Sequence, residues 1–117
     1  MAFEPSKTTQ LSGTQAGGAV TAEIPPRFTG GRRYIHTLMA ECVNTATGQL
    51  AGAAAGTLTV RARLEGMLGY QPVGEVMSLV APQIYRLEGF YESIQAESAG
   101  LDTDKSWRLT ITSGEKG

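Results

Sequence analysis

The chain has 117 residues, 41% of them hydrophobic, and ten basic against eleven acidic side chains give a net charge of −1. That length suits one domain, in which folding removes roughly two thirds of the unfolded chain's surface from water. The near-neutral charge supplies no general field for nucleic acid or an anionic membrane. Cys42 is the single cysteine, which excludes an internal disulfide.

The opening "MAFEPSKTTQLSGTQAGGAV" is rich in Thr, Ser, Gln and Gly and has few large apolar groups. With so little to bury, residues 1–20 read as a flexible or extended N-terminal arm, either loose or laid on a neighbour. Residues 21–117 are then a single antiparallel β domain. "EIPPRFTGGRR" follows, where Pro25 and Pro26 hold an extended backbone and Gly30-Gly31 make a turn.

"RYIHTLMAECVNT", residues 33–45, is the first long strand candidate. Ile35, Thr37, Met39, Glu41 and Val43 share one face, and Tyr34, His36, Leu38, Ala40 and Cys42 the other. Apolar groups on both faces predict a central strand; Leu, Met, Ala and Glu also suit a helix, but the flanking Gly-rich turns favour the strand. "NTATGQLAGAAAG", residues 44–56, reads as a long hairpin connection. "GTLTVRARLEG" then alternates cleanly, with Leu58, Val60, Ala62 and Leu64 on one side and Thr57, Thr59, Arg61, Arg63 and Glu65 on the other.

One or two short strands are expected around Val73–Val80, between Pro72 and Pro82. In "SWRLTITS", Trp107, Leu109 and Ile111 face inward. In "LEGFYESIQAE" the alternation is less clean, and Gly89 is placed to mark a bulge. Strands at short intervals, Gly and Pro turns and no convincing amphipathic helix predict an all-β fold. Its expected form is a compact antiparallel sandwich or barrel, jelly-roll-like, with an extended N-terminal arm.

Chemistry-bearing motifs are sparse. A soft or imidazole metal site needs several converging His and Cys. Only His36 and Cys42 are available, and six residues of strand separate them by roughly 20 Å. A hydrolytic triad would have to use His36, and no G-x-S-x-G, G-x-x-x-x-G-K-[ST] or G-x-G-x-x-G pattern occurs. Glu88 and Glu92, read as one strand face, would lie roughly 13 Å apart, too far for a glycosidase pair. "GLDTDKS" holds Asp102 and Asp104 without the rest of a calcium loop. No catalytic residue, cofactor or metal site is therefore expected, and the chain is read as non-enzymatic.

The uneven charge suggests association instead. Residues 1–40 balance to +2 and residues 75–104 to −5, and complementary patches can fix the register of neighbouring copies. Arg27, Arg32 and Arg33 on one side and Glu88 and Glu92 on the other are the candidate partner-binding residues. A carbohydrate- or receptor-binding module is the competing class, with Tyr70, Tyr85 and Tyr91 as candidate ligand aromatics.

Four stretches carry a resemblance: Gly56–Val60 ("GTLTV"), Gly89–Ile94 ("GFYESI"), Gly100-Leu101 and Trp107–Thr112 ("WRLTIT"). Together with the small-residue segment before Gly56, they resemble the small β-sandwich structural proteins of tailed-bacteriophage virions, over about the last 70 residues. That resemblance implies a head decoration or cement protein, or a small tail or baseplate subunit. Such a protein is made in the host cytoplasm and carried in the virion. It associates with itself and with other virion proteins, and no nucleic acid, membrane or small-molecule ligand is expected as partner.

Overall fold

In a computed structural model the chain is described at residues 7–24, 34–64, 66–73, 76–81, 84–88 and 91–115. Those residues form strands, turns and loops without a helix. The first sheet has the order β1 (Lys7–Gly13), β9 (Lys105–Glu115), β3 (Tyr34–Asn44), β7 (Ile84–Glu88). The second has the order β2 (Val20–Glu23), β8 (Tyr91–Ala99), β4 (Thr57–Leu64), β5 (Gln71–Pro72), and β6 (Met77–Ser78) also pairs with β4. All described pairings are antiparallel. Apart from β4 to β5 and β6, each step along the chain changes sheet, which gives the double-sheet order of a jelly roll. The least extent of the molecule, 21 Å, fits two sheets stacked about 10 Å apart with side chains on their outer faces.

Period-two patterning explains what lies between the sheets. The first sheet sends in His36, Leu38, Ala40 and Cys42 from β3 and Trp107, Leu109 and Ile111 from β9, all 0–2% exposed. The second sends in Leu58, Val60 and Ala62 from β4 and Ile94 and Ala96 from β8, again nearly inaccessible. Full burial of one large aliphatic side chain contributes roughly 1.5–3 kcal/mol, so these two faces supply the main drive for folding. Leu79 and Leu101, from loops, are also buried in the core. At Leu101, Gly56 passes so close that an added Cβ would lie 3.4 Å from its Cα, and Gly56 itself has φ 130°, a backbone state that favours glycine.

His36 is a structural residue of this core. Its Nδ1 lies 2.7 Å from the Ser113 hydroxyl, and Tyr91 meets its ring in a T-shaped contact at 6.2 Å. The hydrogen bond offsets the cost of burying a polar ring.

Several sequence expectations are corrected. Residues 44–56 do not close a hairpin between β3 and β4, which lie in different sheets. The segment turns tightly at first, with Val43 bridging Leu50, and then crosses the sandwich. "LEGFYESIQAE" is not one strand, because Glu88 ends β7 in the first sheet while Glu92 belongs to β8 in the second. The expected bulge at Gly89 is outside the described residues, but a register shift lies nearby. Arg63 pairs with Ser93 and Leu64 with Tyr91, leaving Glu92 as the extra residue. A bulge turns two consecutive side chains to one side, and here Glu92 joins Ser93 on the Arg63 side.

The N-terminal segment is extended from Lys7 on, and its neighbour is this same chain. β1 pairs with β9 from Lys7↔Ser113 to Gly13↔Trp107 and buries Leu11. After it, the Gln15 side-chain oxygen accepts hydrogen bonds from the Ser98 hydroxyl and the Leu101 backbone N–H, each at 3.1 Å. These bonds tie the first turn to the end of β8.

Candidate functional site

Two concave surfaces lie on opposite sheets. On the second sheet, the pairings Glu23↔Ser93 and Ser93↔Arg63 make one row across β2, β8 and β4. Three strands at about 4.8 Å spacing put the backbones of Glu23 and Arg63 roughly 10 Å apart. The row, with Thr21, Ala22 and Tyr70, lines an open groove of about 260 Å³.

The bulge organises its chemistry. It sets Glu92 beside Ser93, and the Arg63 Nη2 donates to a Glu92 carboxylate oxygen at 3.1 Å. The same guanidinium lies over the Tyr70 ring, 5.6 Å from its centre, a cation–π distance. The Tyr70 hydroxyl is hydrogen-bonded to the Ser93 hydroxyl. Arg63, Tyr70 and Ser93 are thus held in place before any ligand arrives. Glu23 is exposed on the opposite wall, with no ion pair among the described residues.

The first sheet has a different surface. Met39 pairs with Ile84 on its outer face, and Met39, Leu50, Val80 and Ile84 are 42–73% exposed. Met39, Leu50, Leu79 and Val80, with Glu41, line a groove of about 490 Å³. It lies beside β7, which pairs on one side with β3 and has no partner strand on the other among the described residues. Loose apolar side chains gathered in one place are a mark of an interaction surface.

The residues singled out from sequence are scattered. Arg27, Arg32 and Arg33 lie outside the described residues. Glu88 is exposed on β7, and Glu92 is paired with Arg63. Both acids of β8 are matched by β4, since Glu97 also pairs with Arg61 at 3.4 Å. Of the tyrosines, Tyr70 alone lines the polar groove; Tyr85 and Tyr91 pack against the core. Asp104 pairs with Lys105 at 2.9 Å, and that hydrogen bond holds its carboxyl below the usual value. No group of three His, Cys, Asp or Glu among the described residues could hold a metal ion.

The groove's other members were not found from sequence, because cross-strand register brings Thr21, Glu23, Arg63 and Ser93 together. One available signal was the alternation in "VTAEI", which marks β2 and puts Thr21 and Glu23 on one face.

No protein-family model matches the chain, and no curated protein matches it. Solved structures do. It is similar to a Bacillus endospore appendage, from a family of disulfide-linked pili, at 10% identity and TM-score 0.52, covering 97% of this chain and 88% of that one. A CBM4 carbohydrate-binding module is 12% identical with TM-score 0.49, covering 93% and 84%. The core of Drosophila NLP, a pentamer-forming, histone-binding protein, is 11% identical with TM-score 0.40, covering 96% and 98%. The appendage is a β-sandwich, and likeness at such identity is likeness of fold.

Proposed function

We propose that the chain is a non-enzymatic structural subunit of a tailed-bacteriophage virion. In this reading it is a head decoration or cement protein, or a small tail or baseplate subunit, and copies meet through the β7 side of the first sheet. The observation that carries the association is the set of exposed apolar side chains, Met39, Leu50, Val80 and Ile84, gathered beside an edge strand. An edge offers unpaired backbone groups for strand addition, and the apolar flank adds area to bury. The virion placement is supported by the sequence resemblance and by the jelly-roll order, which viral capsid domains use.

The appendage neighbour forms disulfide-linked pili. In this chain Cys42 is 2% exposed, and burial pushes its thiol pKa up. Such a thiol is a poor nucleophile for disulfide exchange, so contact between copies is non-covalent here.

Light scattering after size exclusion, over a range of concentrations, tests the association. The native chain is expected to form a discrete oligomer, and Ile84→Glu with Val80→Glu to return it to monomer with unchanged circular dichroism. A native chain that stays monomeric throughout overturns association through this surface. Mass spectrometry of purified particles tests the placement: the chain is expected at a copy number comparable to shell or tail subunits, and its absence overturns the virion reading.

A further inference from the structure

We infer that the groove on the second sheet, between Glu23 and Arg63, is a binding site for one neutral sugar ring. This does not rest on the assembly reading, because the groove and the apolar surface belong to opposite sheets.

Shape and chemistry define the ligand. Small-molecule sites commonly span about 300–1,000 Å³, so a groove of about 260 Å³ suits one ring better than a long chain. Its walls are mixed: the Tyr70 ring is apolar, while Thr21, Glu23, Arg63 and Ser93 supply donors and acceptors. A sugar ring needs that mixture, since its C–H faces pack on apolar surface and its hydroxyls both donate and accept. Glu23 accepts from ring hydroxyls at one wall, and the Arg63 guanidinium donates at the other.

Charge excludes the main competitors. Glu23 and Glu92 against Arg63 leave the site net negative, which disfavours phosphate and other anions. A cationic ligand at the Tyr70 ring would be repelled by the Arg63 guanidinium, which lies 5.6 Å from the ring centre. A neutral polyol requires neither charge to be displaced. The ion pair and the Tyr70–Ser93 hydrogen bond hold the walls in position, which lowers the entropy lost on binding.

The test is a titration of the full chain, labelled with ¹⁵N, against methyl β-glucopyranoside, methyl α-mannopyranoside, methyl β-galactopyranoside, cellobiose and inorganic phosphate. At least one sugar is expected to give saturable amide shifts at residues 21–23, 63, 70 and 93, in the millimolar range. Glu23→Gln is expected to weaken binding about tenfold with core amides unmoved, and Tyr70→Ala to abolish it. No saturable shift with any sugar overturns the proposal, as do sugar shifts elsewhere on the surface, or phosphate saturating these residues where the sugars fail.

Discussion

The two sheets solve the same problem with different means. In the first, β3 and β9 pair over eleven residues, from Tyr34↔Glu115 to Asn44↔Lys105, without a register shift. In the second, β4 and β8 pair over eight residues with a bulge, and the flanking strands β2, β5 and β6 have four, two and two residues. The first sheet is a continuous apolar spine with an apolar groove on its outside. The second is shorter, and Arg61–Glu97 and Arg63–Glu92 link its two central strands on the outside. Stability is therefore concentrated in the first sheet, while the second holds its chemistry on a surface that its core does not depend on.

The sharpest test of that contrast is Trp107→Ala. The ring is fully buried on β9, and removing a buried aromatic costs about 3–5 kcal/mol. Urea unfolding should show an unfolding free energy lowered by that amount, with a lower midpoint and cooperativity retained. A loss under 1 kcal/mol would mean that the spine is not where stability is concentrated.

Gly13→Ala probes the same ring from outside. A Cβ on Gly13 would lie 2.8 Å from Trp107 Cζ2 and 2.9 Å from Cε2, closer than packed atoms allow. The rigid indole is buried on all sides, so β1 must shift instead, at a cost of about 1–3 kcal/mol. Hydrogen exchange should show faster exchange along β1 with β3 unchanged. Equal loss of protection in both strands would break the distinction between spine and flank.

The same contrast explains what the sequence disclosed. β4 and the inner face of β9 were legible because each alternates around residues that must be buried: Leu58, Val60 and Ala62, then Trp107, Leu109 and Ile111. β1 was not legible as a strand of the sheet, because "KTTQLSG" buries Leu11 alone and its stability comes from β9, a hundred residues away. β5 and β6 are too short for any period to appear. The polar groove was hidden for a related reason. Its row, Glu23, Ser93 and Arg63, is set by register and by a one-residue bulge, and neither leaves a local motif.

On the second sheet, Arg63→Met should cost no more than about 1 kcal/mol, because half-exposed ion pairs contribute little. It should nevertheless remove sugar-induced shifts at Tyr70 and Ser93, since the guanidinium over the ring is lost. Stability and ligand response would then separate, as the contrast requires. If urea unfolding instead shows a loss comparable to that of Trp107→Ala, the second sheet relies on its outer ion pairs for its integrity.

The smallest effect belongs to the loop that carries Asp104 and Lys105. Lys105 lowers the carboxyl of Asp104 from 3.8, and Asp104 raises the ammonium of Lys105 from 10.5. A carboxyl with a depressed folded pKa stabilises the fold above its ordinary value and loses that contribution as pH falls through the lowered one. The raised ammonium stabilises below 10.5 and loses its contribution as pH rises through the higher folded value. Asp104→Asn should therefore melt slightly below the native chain at neutral pH, and the two curves should meet in strong acid. Because the Asp104 carboxylate stands in water, 1 M salt should reduce the neutral-pH difference through screening. The Asp104 backbone carbonyl accepts a hydrogen bond from the Thr45 N–H at 3.0 Å, and the substitution keeps that bond. A difference that survives in strong acid would show that the Asp104 side chain holds the loop against β3 through something other than its charge.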